Sequence, residues 1–197
     1  MTQPVTVLYE DSAADGSLKE YGPHLLVRQC VADRLGVESW TLRQLEGMPR
    51  RGASKLRNDC RRIPPQVGRD GRVIVAVYDA DKIHRDVQLP ATACKAQMKE
   101  ILAAECAWRE RLVIVFLEKN LETVLSAIRA CSSQLVAEET WQRAVSRKDR
   151  NARDIILKEA ARPPNRPLRE LVLQRVPSLG YLVGKLSAAL GEADPAG

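Results

Sequence analysis

Arg72-Val-Ile-Val-Ala-Val-Tyr-Asp79-Ala-Asp81 is the stretch from which the rest of the chain is read. Every residue from Val73 to Tyr78 is apolar or aromatic, most are β-branched, and Gly68-Arg-Asp-Gly71 supplies a turn in front. An unbroken run of this kind predicts a strand buried on both faces, as in a parallel sheet. Asp79 and Asp81 stand two apart at its carboxyl end, and residues two apart on a strand point to the same side. In open α/β sheets ligands bind beyond the carboxyl ends of the strands. Two close carboxylates there repel each other, and a divalent cation answers their charge. A loop-capping Asp-x-Asp is the plainer reading of the same pair.

Working outward, Leu112-Val-Ile-Val-Phe-Leu117 is a second buried strand ending in an acid, Glu118, and Val5-Thr-Val-Leu-Tyr9 is a shorter one running into Glu10-Asp11. Val37 to Leu42 is expected as a further, weakly signalled strand. The polar segment from Ser12 to Gly22 reads as a loop. Helices are expected from Pro23 to Gly36, around Ser54 to Arg62, from Pro90 to about Ala107 and from Asn120 onward. Cys94, Met98, Ile101 and Leu102 share one face of the third of these, and Lys82 to Leu89 reads as a polar connection. This alternation predicts an α/β fold with a mainly parallel sheet flanked by helices over residues 1–131. Residues 132–197 show helical periodicity, broken by Arg162-Pro-Pro-Asn-Arg-Pro167 and by Pro177, and predict a helical appendage whose last six or so residues fray.

Composition narrows the classes. A chain of 197 residues with 45% hydrophobic residues builds a real core, but aromatics at 4% leave that core to Leu, Val, Ile and Ala. The net charge of +6 permits polyanion binding without establishing it. Five scattered cysteines and two histidines, with no Cys-x-x-Cys spacing, argue against a disulfide framework or a zinc site and for reduced thiols in a cytoplasmic protein. Neither a signal peptide nor an apolar run near membrane-spanning length is present.

Three strands ending in acid, at Glu10-Asp11, Asp79-x-Asp81 and Glu118, carry a resemblance. Leu8-Tyr-Glu10 followed much later by Val75-Ala-Val-Tyr-Asp79-Ala-Asp81, in a small βα-repeating domain, resembles the Toprim domain of topoisomerases, bacterial primases and overcoming-lysogenization-defect nucleases. Phe116-Leu-Glu118-Lys-Asn-Leu-Glu122 and the Pro-bearing helical tail are similar to stand-alone Toprim-like proteins encoded beside ATPases in defence loci. The resemblance implies a Rossmann-like sheet over residues 5–131 and magnesium- or manganese-dependent phosphodiester chemistry. Glu10 would match the family glutamate, a metal ligand or general acid/base, and Asp79 and Asp81 its metal-binding aspartates. Glu118 and Glu122 are the candidates for a second metal position, where paired cations would stabilise attacking and leaving oxygens. Hydrolysis is the expected use, with nucleic acid as substrate and an ATPase as partner. Two departures stand out: Asp11 follows Glu10 where the family has glycine, and Lys82-Ile-His84-Arg85 replaces the glycine usual after the second aspartate.

Residues 43–72 hold nine Lys or Arg against three acids. Arg50, Arg51, Lys55, Arg57, Arg61 and Arg62 are candidates for lining a nucleic-acid backbone, with a solvated basic face as the plainer reading. His84 is a candidate phosphate contact or water activator, or an ordinary loop residue. Lys148 and Lys158 are weaker candidates for a transition-state contact. Trp40, Trp108 and Trp141 are isolated and read as packing residues. Two other functions fit part of the pattern. A nucleotide-sugar glycosyltransferase would use the Asp-x-Asp for manganese and diphosphate but leaves Glu10 without a role. A non-catalytic binding module would keep the fold and recruit a partner through the basic segment.

Overall fold

The computed structural model describes residues 3–11, 21–62, 71–80, 83–86, 89–90, 92–118 and 120–191. Asp81, the turn residues Gly68 to Asp70, Pro64-Pro65, most of the loop after Asp11, Lys82 and the last six residues lie outside them. The chain divides into two compact units, each discontinuous in sequence: Met1–Ser12, Gln44–Glu118 and Ala188–Gly197 form one, Ala13–Arg43 and Lys119–Ser187 the other. Helices expected beside the strands, those after Pro23 and Asn120, therefore cluster with the C-terminal helices.

The first unit is an α/β layer. Its strands are β1 (Val5–Tyr9), β2 (Leu45–Pro49), β3 (Val73–Asp79) and β4 (Leu112–Leu117), all parallel and ordered β2-β1-β3-β4. Tyr9 lies opposite Val77, and Val77 opposite Val115. The strands present apolar side chains on both faces, which is why β3 and β4 read as continuous runs. On one face Leu8, Ile74, Ala76, Tyr78, Ile114 and Phe116 pack with Leu56 and Cys60 of α2 (Ala53–Arg61), and with Met98 and Leu102 of a later helix, Lys95–Ala104. On the other, Val5, Val7, Tyr9, Val75, Val77 and Val115 are as completely buried.

The expected strand at Val37 to Leu42 does not form. Ser39–Thr41 is a single 3-10 turn with Trp40 exposed, and the strand next to β1 is Leu45–Pro49. Glu46, Gly47 and Pro49 give that strand almost no apolar alternation, and its edge position demands little burial, so its pattern is faint. Cys94 is likewise corrected: it is exposed at the N-cap of the helix Lys95–Ala104, not on its apolar face. The expected polar connection after β3 contains a short helix, α3 (Ile83–Asp86), and Lys95–Ala104 is α4. All five cysteines are free.

The second unit is helical. Helix α1 (Gly22–Leu35) ends at Gly36 in the left-handed conformation glycine favours. Its first residue approaches a later helix, Arg150–Ala160, so closely that a Cβ at Gly22 would lie 2.7 Å from an Asp154 carboxylate oxygen. The others are α5 (Asn120–Cys131), α6 (Glu138–Val145), α7 (Arg150–Ala160), α8 (Arg166–Arg175) and α9 (Pro177–Gly191). Pro167 and Pro177 fall in first turns, where proline costs no hydrogen bond. Trp141 is fully buried, its indole N–H donating to the Ser133 carbonyl at 3.0 Å. Arg169 is 1% exposed and donates to both Asp33 oxygens at 2.6 and 3.1 Å and to the Ala160 and Arg162 carbonyls. No helix among the described residues is long and apolar enough to cross a membrane.

Candidate functional site at the carboxyl edge of the sheet

The order β2-β1-β3-β4 has one switch point. From β1 the chain moves outward to β2, then crosses back over β1 to β3 and on to β4. The carboxyl ends of β1 and β3 therefore flank the crevice where connections leave in opposite directions, the place open α/β sheets use for ligands. Glu10 follows β1 and Asp79 closes β3, so both acids stand at that crevice.

They are also joined. The Glu10 backbone N–H donates to the Val77 carbonyl at 3.1 Å, which extends the β1–β3 ladder by one residue. Glu10 Oε2 accepts from the Asp79 backbone N–H at 2.9 Å. That bond fixes the direction of the Glu10 carboxylate and leaves both carboxyl groups half-buried at one edge. Asp81, expected to complete the group, lies outside the described residues. Among the described residues no cluster of three or more His, Cys, Asp or Glu side chains is disposed to hold a metal ion.

The turn between β2 and α2 is tied to the same place. Arg50 N–H donates to the Tyr9 and Asp11 carbonyls at 2.8 and 3.0 Å, Arg51 N–H to Asp11 at 3.2 Å and Gly52 N–H to Glu10 at 2.6 Å. Holding these bonds puts Arg51 at φ 64° and Gly52 at φ 115°, and the second value is one that only glycine adopts at low cost. Helix α2 thus starts beside Glu10. An open depression of about 330 Å³ at its first turn is lined by Arg51, Gly52, Ala53, Ser54 and Lys55.

The basic residues singled out from sequence separate into two groups. Arg50 is bonded to Asp59 at 2.5 Å. Arg57 and Arg61 both fork onto Glu105, with Arg57 at 2.7 and 2.5 Å and Arg61 at 3.0 and 2.8 Å. The two guanidinium groups hold the Glu105 carboxyl down to about 2. These three arginines spend their charge on the protein itself. Arg51, Lys55 and Arg62 are exposed.

The remaining candidates are placed as follows. Glu118, after β4, is exposed and paired with Lys95 at 3.0 Å. Glu122 belongs to the helical unit, where Arg153 at 3.1 Å and Lys148 at 3.7 Å flank it. His84 is on α3, its Nδ1 2.7 Å from the Pro90 carbonyl oxygen. Tyr78, the residue before Asp79, is buried in the core, and burial together with the neighbouring Cys60 thiol raises its pKa. Burial likewise pushes the Cys60 and Cys30 thiols up to about 12.

The Arg50–Gly52 stitch escaped the sequence reading, although Arg-Arg-Gly ahead of a helical pattern carried its signal, a glycine at an obligatory turn. Comparison with protein-family models, with curated proteins and with solved structures finds no match to this chain.

Proposed function

We propose that this chain is a cytoplasmic, divalent-cation-dependent nuclease of Toprim-like type, hydrolysing phosphodiester bonds at the carboxyl edge of its sheet. The observation that carries the reading is the junction of Glu10 and Asp79 at the β1–β3 switch point. Sixty-nine residues separate the two acids in sequence, and one hydrogen bond joins them at this edge.

The donor set fits magnesium or manganese. Both are hard cations that take carboxylate oxygens, and magnesium typically uses one or two carboxylates and keeps the rest of its shell for water and substrate phosphate. Asp79 and Glu10 would hold the ion, with Asp81 as the further ligand the Asp-x-Asp pattern supplies. When bound, such an ion neutralises phosphate charge and lowers the pKa of a coordinated water. The chain's own residues do the rest. The Asp79 amide orients Glu10, and the β2–α2 turn holds Arg51 and Lys55 exposed beside it, where a substrate phosphate backbone would draw on their charge.

The test incubates the purified chain with labelled DNA and RNA in Mg²⁺ or Mn²⁺, alone and with any ATPase encoded beside it. Cleavage by the wild type that is lost in Asp79→Asn and Asp81→Asn supports the reading. Cleavage that persists in both variants removes this site. Turnover of nucleotide sugars without nucleic-acid cleavage would favour a glycosyltransferase, and an absence of divalent-cation binding a non-catalytic module.

A further inference from the structure

The segment from Arg50 to Arg62 carries six cations, and the ion pairs of the fold divide them. Arg50 is tied to Asp59, and Arg57 and Arg61 are tied to Glu105. The side chains of Arg51, Lys55 and Arg62 are exposed and make no ion pair among the described residues. These three form a row. Arg51 and Lys55 line one depression at the start of α2. Lys55 and Arg62 are seven residues apart, two helical turns, which puts them on one side of α2 about 10 Å from each other. Exposed Asn58 lies between them, while Leu56 and Cys60 turn inward to the core. The row begins at the sheet edge itself, where the Arg51 N–H donates to the Asp11 carbonyl at 3.2 Å and the Gly52 N–H to the Glu10 carbonyl at 2.6 Å.

Aromatic side chains say which form of nucleic acid suits this row. Proteins that hold single strands combine a basic groove with aromatic faces on which bases stack. The α/β unit has four aromatic residues, Tyr9, Tyr78, Trp108 and Phe116. Tyr9, Tyr78 and Phe116 are buried, and Trp108 packs against the same core. From Thr41 to Arg72 the sequence has no aromatic at all. The unit offers cations and no stacking face. A surface of charge alone draws its affinity from phosphate neutralisation and counterion release, and that gain is larger per contact on a duplex than on a single strand. Resting on the nuclease reading for what is done to the substrate, we propose that Arg51, Lys55 and Arg62 bind the phosphate backbone of duplex nucleic acid and lead it to the Glu10–Asp79 edge. Recognition is then independent of base sequence, because none of the three cations is accompanied by a group placed to read a base.

The experiment measures binding without cleavage, by fluorescence anisotropy in EDTA. The probes are DNA and RNA duplexes of about 20 base pairs and their separated strands, titrated between about 50 and 200 mM salt. The variants are Arg51→Asn, which tolerates the φ of 64° at that position, Lys55→Gln, Arg62→Gln and the triple substitution. Arg109→Gln is the control of equal charge loss, in the exposed turn ahead of β4 at the opposite edge of the sheet. All are checked for folding by circular dichroism and thermal melting. The wild type should bind at least one duplex more tightly than its strands. Each single substitution in the row should lower the slope of log K against log salt by about 0.9, and the triple variant should lose about tenfold or more in affinity. Arg109→Gln should match the wild type. Strands bound as tightly as duplexes, a wild-type slope in the triple variant, or an equal loss in Arg109→Gln overturns the proposal, and cleavage by the wild type in Mg²⁺ would still leave the nuclease reading standing. Duplex binding that depends on the row, with no cleavage of DNA or RNA in Mg²⁺ or Mn²⁺, removes the nuclease reading and keeps the surface.

Discussion

The Glu10 carboxylate accepts a hydrogen bond from the Asp79 backbone N–H at 2.9 Å, tying the end of β1 to the end of β3. The bond gives Glu10 two separable properties, an oxygen that satisfies an amide and a negative charge. Glu10→Gln keeps the first and loses the second. It should melt close to the wild type while Mn²⁺ affinity, measured by calorimetry, falls at least tenfold, about 1.4 kcal/mol. Glu10→Ala loses both and should also cost about 1–3 kcal/mol in urea denaturation, because the amide is left without its acceptor. Equal Mn²⁺ affinity in all three proteins would remove Glu10 from the site.

Gly52 lies at φ 115° and ψ 158° with nothing within 4 Å of where a Cβ would stand, so its constraint is torsional and not steric. Gly52→Ala should cost about 1–3 kcal/mol for that backbone alone. Because the Gly52 N–H is bonded to the Glu10 carbonyl, metal affinity should weaken with stability. An alanine variant as stable as the wild type would show that the turn relaxes freely.

Glu105 supplies a pH signature. Its carboxyl is held to about 2 by hydrogen bonds from Arg57 and Arg61, whereas a glutamate in the unfolded chain titrates near about 4.3. The folded value is the lower one, so its contribution is complete above the unfolded value and is lost as pH falls from about 5 towards 2. Glu105→Gln should lower stability at pH 7 by about 1–2 kcal/mol. It should also flatten the decline of the urea midpoint between about pH 5 and 2. An unchanged acid limb would mean that the forks open in solution.

Arg169 and Asp33 form the buried pair of the helical unit, with side chains 1% and 16% exposed. Removing one partner leaves the other charged and poorly solvated, so Arg169→Met should destabilise by about 3–5 kcal/mol. Arg169→Lys should recover little of this, since one ammonium cannot span both Asp33 oxygens and two backbone carbonyls. Urea unfolding of the three proteins checks the ranking.

The fold was legible where burial on two faces left unbroken apolar runs, at β3 and β4, and where glycine or proline marked a helix end, as at Gly36 and Pro177. It was illegible at β2, because an edge strand bearing Glu46, Gly47 and Pro49 carries no burial pattern to read. The meeting of Glu10 and Asp79 depended on strand order, which no local pattern encodes; only their shared position after apolar strands hinted at it. The basic segment was legible as charge but not as partnership. That Arg57 and Arg61 share Glu105, over forty residues away, follows from α2 and the end of α4 coming together.

An all-parallel sheet has no hairpin, so none of its strand pairs is local. The β1–β3 pairing joins Val5 to Val73 and Tyr9 to Val77. Closing so long a loop must precede any reward from pairing, which places the chain among the slower-folding topologies. The Glu10–Asp79 junction is therefore a late arrival on the folding path. Collapsed intermediates can carry helices and isolated strands, but not the paired acids. A chain in which β1 and β3 have not yet paired therefore lacks the Glu10–Asp79 hydrogen bond.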